Sequence, residues 1–189
     1  EIHRLTRGEH SDRINKLAGP DREKYLGIKT GYSAVDRKIG GLNKSDLILI
    51  AARPGMGKTS FALNIAVNVA VKQHKVAIFS LEMSSEQITS RILSCEALVE
   101  SNRLRSGTLE NEDWVKLVQT AQILSGTQIF IDDTAGITIS EMKAKLRRLR
   151  DVDLVIVDYL QLMSSTGNTD NRVQVVSEMT RNLKLMARE

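Results

Sequence analysis

The residues best suited to phosphate chemistry lie in Leu47-Ile48-Leu49-Ile50-Ala51-Ala52-Arg53-Pro54-Gly55-Met56-Gly57-Lys58-Thr59-Ser60, an aliphatic run, a Gly/Pro turn and then helix-forming residues. From Ala52 to Thr59 the spacing matches the phosphate-loop pattern G-x-x-x-x-G-K-[ST], with small Ala52 where the first glycine usually stands. Gly55 and Gly57 let backbone N–H groups turn inward around phosphate oxygens without Cβ obstruction. A helix opening at Lys58 adds unpaired N–H donors and a positive dipole end. Lys58 supplies a point charge for the β- and γ-phosphates, and Thr59 offers a hydroxyl to Mg²⁺. Arg53, Pro54, Gly55, Met56, Gly57, Lys58, Thr59 and Ser60 are therefore the expected nucleotide-binding residues, with ATP and Mg²⁺ as cofactors. A plain glycine turn with an incidental Lys-Thr pair is the alternative; strand, loop and helix signals in the required order argue against it.

Such a loop needs a carboxylate at the end of a neighbouring strand to hold the metal. Leu154-Val155-Ile156-Val157-Asp158 and Gln128-Ile129-Phe130-Ile131-Asp132-Asp133 both qualify. The first is purely aliphatic and so the more deeply buried, which favours Asp158. Asp132 and Asp133 lead into Thr134-Ala135-Gly136, where an Asx-type turn or a helix cap explains them. Tyr159 follows Asp158, so a water-orienting base has to come from elsewhere. Glu82, in Ser80-Leu81-Glu82-Met83 after the run Lys75–Phe79, is the candidate, because the carboxyl ends of parallel strands share one edge. Its alternative is an acidic residue favoured by the dipole of the helix ahead of it.

Ser164-Ser165-Thr166-Gly167-Asn168-Thr169-Asp170-Asn171-Arg172 is polar and contains no aromatic residue. It suits a loop that follows a nucleic-acid backbone through N–H groups, Asn168 and Arg172, without stacking on bases. An ordinary surface loop is the alternative. Lys143, Lys145, Arg147, Arg148 and Arg150 read as a solvated helix face and receive no DNA role. Trp114 is expected to anchor a helix start in the core.

The elements that must position these groups follow from apolar periodicity. Unbroken runs at Leu47–Ala51, Lys75–Phe79, Gln128–Ile131 and Leu154–Val157 predict four strands covered on both faces. Helices are expected at Lys58–Lys72, at Ser84–Leu98 (Ile88, Ile92 and Cys95 on one face, with Ser84-x-x-Gln87 as a capping box), at Asn111–Leu124, at Ser140–Arg150 (Met142, Leu146 and Leu149 on one face) and at Val173–Glu189 (Val176, Met179, Leu183 and Met186 at helical spacing). Strand–helix alternation means an α/β fold: a mostly parallel sheet with helices on both faces. Residues 1–26 differ in character, dense in charge and interrupted by Gly19-Pro20, and predict a linker with a short helix; a solvated tail is the alternative.

Composition narrows the classes further. With 27 Lys+Arg against 23 Asp+Glu the excess of +4 is mild, permitting a polyanionic partner without demanding one. One cysteine, Cys95, excludes an internal disulfide framework, and three scattered histidines assemble no zinc site. The longest apolar stretch, Leu47–Ala52, is far shorter than the ~18 residues of a membrane span. With no signal peptide visible at the charged start Glu1–Leu5, the expected compartment is a reducing cytoplasm.

Four ordered segments resemble one family: Gly27-Ile28-Lys29-Thr30-Gly31-Tyr32-Ser33-Ala34-Val35-Asp36, Ala52–Thr59, Ser80-Leu81-Glu82-Met83, and Asp158-Tyr159-Leu160-Gln161-Leu162-Met163. They are similar to the RecA-like P-loop core of DnaB-like bacterial replicative DNA helicases, over residues 27–189. The resemblance implies a homohexameric ring with ATP between subunits, moving on single-stranded DNA and unwinding duplex 5′→3′, with primase and a helicase loader as partners. It implies that Glu82 is the hydrolytic glutamate, that Lys58, Thr59 and Asp158 hold Mg-ATP, that the loop with Asn168 and Arg172 faces the DNA channel, and that the linker in residues 1–26 docks on an adjacent subunit. The family's γ-phosphate sensor, second DNA loop and arginine finger are expected beyond residue 189, and its primase-contacting domain ahead of residue 1. The chain is thus expected to be the N-terminal part of the motor core, ending after the Asp158 strand and its following helix, and to turn nucleotide over poorly alone. A RecA-class strand-exchange ATPase and a nucleotide-shaped oligomerisation module are the competing readings.

Overall fold

In the computed structural model of the chain the described residues are Gly19, 26–158 and 172–189, with side chains from residue 176 onward in the last stretch. The chain divides into two units, Glu1–Lys44 and Ser45–Glu189. In the first, Ile28 and Leu42 form an antiparallel bridge around helix α1 (Ser33–Ile39). The close approach demands glycine: a Cβ on Gly27 would meet the Leu42 carbonyl at 2.6 Å. Buried Thr30 donates its N–H (2.9 Å) and its hydroxyl (2.8 Å) to Asp36 Oδ1, which latches the α1 turn.

The second unit runs α2 (Lys58–Ala70), β1 (Lys75–Ser80), α3 (Ser85–Ala97), α4 (Ser101–Ser106), α5 (Asn111–Ser125), β2 (Gln128–Asp132), α6 (Ile139–Leu149), β3 (Leu154–Asp158) and α7 (Arg172–Arg188). The described strands form one parallel sheet in the order β2-β1-β3. Every crossover carries a helix, the connection that parallel neighbours require. Alternation sorts the side chains. Ala77, Phe79, Val155 and Val157 pack with Met142 of α6 and Met179 of α7 on one face. Val76, Ile78, Leu154, Ile156 and Asp158 therefore point to the other, where α2 lies with Leu63, Ala66, Val67 and Ala70 buried. The central strand β1 is covered on both faces, as an all-parallel sheet demands, whereas β2 at the edge of the described sheet departs from that expectation, with Phe130 exposed. A satellite cluster of Ala97, Val99 and Leu117 joins α3, α4 and α5.

The predicted strand Leu47–Ala51 is absent. The segment has no ladder partner among the described residues, where β3 pairs only with β1, and its apolar side chains stand open: Ile48 is 44% exposed and Leu49 66%. An aliphatic run becomes a strand only when another strand meets its backbone groups. Lys184 of α7 steadies the start of this segment, its Nζ donating to the Ser45 carbonyl at 2.6 Å and lying 3.7 Å from Asp46 Oδ1.

Two further expectations fail. Trp114 is 56% exposed, because the inward face of α5 is Asp113, Leu117 and Thr120. Asp113 is tied inward by Arg103, whose guanidinium contacts both Asp113 (2.9 Å) and Glu110 (2.5 Å), and Trp114, a helical step of about 100° further on, turns outward. Cys95 is exposed and its thiol donates to Asn64, while Ile88 and Ile92 of the same predicted face are buried. The linker residues Glu1–Ala18 and Pro20–Tyr25 lie outside the described residues.

Candidate active site

α2 begins where the motif requires. Gly57 caps it in the left-handed conformation (φ 82°), and Gly55 is also left-handed (φ 77°), a geometry that favours glycine. Gly57 brings no side chain of its own to cap the helix, and no acidic residue stands in its first turn. A helix start with its positive dipole end and no acidic residue of its own is a natural seat for an external anion. Arg53, Pro54, Gly55, Met56 and Gly57 form an exposed turn closed by a 3.2 Å hydrogen bond from Met56 N–H to the Arg53 carbonyl, followed by Lys58, Thr59 and Ser60 in the first turn of α2.

Asp158 closes the site. Its position at the end of β3, on the α2 face of the sheet, brings its carboxylate to the helix start. Lys58 Nζ lies 3.0 Å from Oδ1, and the Thr59 hydroxyl donates to Oδ2 at 2.6 Å. These residues are 99 apart in sequence for the Thr59 contact, so only the sheet brings them together. Asp158 is buried, at 6% exposure, and its two partners balance the cost of placing a carboxylate there. A hydroxyl, a carboxylate and an ammonium converging beside a helix start form a hard-oxygen and cationic set that fits a Mg²⁺-bound polyphosphate.

Glu82 is exposed in the loop after β1. It sits at the same edge as Asp158: Ser80 and Asp158 are register partners, and Leu81 N–H donates to the Asp158 carbonyl at 2.7 Å. Asp132 and Asp133 do not reach the phosphate loop. Asp132 Oδ1 accepts Thr134 N–H at 3.1 Å in an Asx-type turn and its Oδ2 is paired with Lys145, while Asp133 Oδ2 accepts Ser85 N–H at 2.7 Å. Asn168 lies outside the described residues; Arg172 opens α7, with its side chain outside them. Spacing alone missed the clasp of Ser85 by Asp133, α4, and the turn in which Ser80 bonds Met83; the Ser and Asp residues were visible, but their partners were not.

The two aspartates at the end of β2, Asp132 and Asp133, also give the domain an acid sensitivity. Burial raises the Asp132 carboxyl, but hydrogen bonds from Lys145 and Thr134 outweigh it and hold the group below its ordinary 3.8. Hydrogen bonds from the Ser85 N–H and hydroxyl hold Asp133 below 3.8 as well. A folded-state value below the unfolded one contributes stability that is present above the unfolded value and lost as pH falls through the folded one. The urea midpoint is therefore expected to drop as pH falls below 3.8, and Asp132→Asn to make that drop shallower. An unchanged slope in Asp132→Asn would show that the Lys145 pair contributes nothing.

The arrangement matches a known domain. The model of the DnaB-like helicase C-terminal domain covers residues 27–189. The chain belongs to this DnaB-like family. It is 50% identical over 168 residues to the replicative DNA helicase DnaC of Bacillus subtilis (strain 168), covering 86% of this chain and 37% of that protein. It is 48% identical over 183 residues to the replicative DNA helicase DnaB of Geobacillus stearothermophilus, covering 94% of this chain and 40% of that one. The chain thus spans about two fifths of these relatives (37% and 40%). Among solved structures, a DnaB-like replicative helicase studied for its interactions with primase superposes with TM-score 0.86 at 30% identity, over 95% of this chain and 43% of that one. The ATPase domain of G40P superposes with TM-score 0.85 at 29% identity, over 97% of this chain and 68% of that one. The α/β fold with its parallel sheet is that of DnaB-like ATPase domains, and the chain is homologous to replicative helicases, which hydrolyse ATP. No helix among the described residues is long and apolar enough to cross a membrane.

Proposed function

We propose that residues 27–189 work as part of the ATP-driven motor of a replicative DNA helicase, which tracks single-stranded DNA and unwinds duplex 5′→3′. The observation that carries the reading is the convergence of Lys58 and Thr59 on Asp158 at the glycine-led start of α2. In this mechanism the first-turn N–H groups and Lys58 bind the β- and γ-phosphates, and Thr59 with Asp158 holds Mg²⁺. Held by Thr59 and Asp158, the metal would supply positive charge for the phosphate oxygens. Glu82 accepts the proton of the attacking water and orients it, at the edge where its neighbour Leu81 bonds the Asp158 carbonyl. Arg53, Pro54, Gly55, Met56 and Ser60 shape the phosphate cradle.

The assembled protein is read as a homohexamer in the bacterial cytoplasm, with residues 1–26 as an inter-subunit linker and the loop bearing Asn168 and Arg172 on the DNA backbone. Primase and a helicase loader are the proposed protein partners; the relative studied with primase supports the first. The test is displacement of a labelled strand from a fork with a 5′ single-stranded tail by the full-length protein. ATP-dependent displacement is expected, with none when Arg53 to Thr59 is replaced by a Gly/Ser turn. Strand pairing without displacement would favour a strand-exchange ATPase, and ATP binding with neither would leave an oligomerisation module.

A further inference from the structure

The loop between β1 and α3 is held more firmly than its flanking elements require. Ser80, the last residue of β1, is 2% exposed. Its hydroxyl donates to the Met83 carbonyl at 2.7 Å and accepts Met83 N–H at 3.2 Å. Leu81 N–H is held by the Asp158 carbonyl at 2.7 Å, and Ser84 N–H by Gln87 Oε1 at 3.2 Å. Ser85 N–H is held by Asp133 Oδ2 at 2.7 Å, from 48 residues away. Because β1 lies between β2 and β3, the loop leaving it is fastened on both sides: to Asp158 on β3 and to Asp133 just after β2. Glu82 stands exposed in the middle of this fastened stretch.

Ser84 and Gln87 form a reciprocal capping box at the start of α3, which serves the N–H groups of Gln87 and Ser84. Asp133 takes the Ser85 N–H that the box leaves over, and it does so from the end of another strand, so the cap of α3 also ties this loop across the sheet.

We propose that Asp133 and Ser80 are positioning residues: by fixing the backbone from Leu81 to Ser85 they hold the Glu82 carboxylate at the edge it shares with Asp158. The proposal rests on Glu82 as the hydrolytic base. A base serves the reaction only while it stands within hydrogen-bond reach of the proton it takes, so a backbone free to drift by an ångström loses turnover without losing nucleotide.

The experiment is steady-state ATP hydrolysis by the full-length assembled protein carrying Asp133→Ala, Asp133→Asn or Ser80→Ala, each alone and with Glu82→Gln. Asp133→Ala and Ser80→Ala are expected to lower kcat by about 10- to 100-fold. KM for ATP is expected to stay within about twofold, and circular dichroism melts to confirm folded protein, as for loss of positioning alone. Asp133→Asn keeps an acceptor oxygen for Ser85 N–H and is expected to recover most of the rate. Added to Glu82→Gln, neither change should cost more, because residues acting through one group are not additive. Wild-type kcat in Asp133→Ala and Ser80→Ala while Glu82→Gln is inactive overturns the clamp alone, as does a loss that multiplies on top of Glu82→Gln. Wild-type turnover by Glu82→Gln itself overturns the base assignment and the clamp with it. Unfolding of Ser80→Ala leaves Asp133→Ala against Asp133→Asn to decide, since failure of Asn to restore the rate also overturns the proposal.

Discussion

Lys58→Ala is expected to remove productive Mg-ATP binding, lowering kcat/KM for ATP hydrolysis in the assembled protein by about 10³-fold or more, the scale of losing a preorganised charge from a phosphoryl-transfer site. The same substitution acts on the nucleotide-free fold. The Asp158 side chain is 8% exposed and would lose the Lys58 ammonium while keeping the Thr59 hydroxyl. Stripping one partner from a buried charged group costs about 1–3 kcal/mol, so the melting temperature is expected to fall by several degrees. Isothermal titration with Mg-ATP and a thermal melt read the two effects separately. Lys58→Arg is expected to restore most of the melt but little of the turnover, because a planar guanidinium fills the turn differently from a compact ammonium. Wild-type nucleotide affinity in Lys58→Ala would refute the phosphate-loop assignment.

Glu82→Gln is expected to divide the energetics in the opposite way. The side chain is exposed, so stability should change by no more than about 0.5 kcal/mol. Nucleotide affinity should hold, because the carboxylate is not among the groups that bind phosphate. Turnover should fall by about 10²–10⁴-fold, the range for a general base that takes a proton in the transition state. Single-turnover hydrolysis under saturating ATP measures this directly. A variant that binds and hydrolyses normally would move the base elsewhere on the shared sheet edge.

Local pattern made much of the architecture legible. The Ser84–Gln87 capping box, the inward faces of α6 and α7, and the three paired strands are all written in short-range periodicity, and each forms as read. Of the two strand-end carboxylates weighed, Asp158 of β3 is the one that contacts Lys58 and Thr59, and β2 is the more exposed strand. What pattern left unread is non-local. Whether Leu47–Ala51 joins a ladder depends on a neighbour, not on its own residues. Trp114 faces out because Arg103 holds Asp113 in, a contact between side chains on α4 and α5. Asp133 read as a turn residue or a helix cap, but that the helix it caps is α3, 48 residues earlier, showed only once the fold put Ser85 beside it. The site shows the same division: the loop of glycines, Lys58 and Thr59 is contiguous in sequence, whereas its junction with Asp158 exists only after the sheet forms.

The pairing of Ser80 with Asp158 makes the sheet a ruler for the chemistry. Side chains along a strand alternate with a period of two, so a slip of one residue between β1 and β3 does not blur the separation of the two acidic positions; it turns Asp158 to the wrong side. Intermediate placements do not exist. Insertions in the crossovers can be absorbed gradually, but a residue added or deleted within Leu154–Asp158 without a compensating bulge would carry the Asp158 carboxylate away from Lys58 and Thr59.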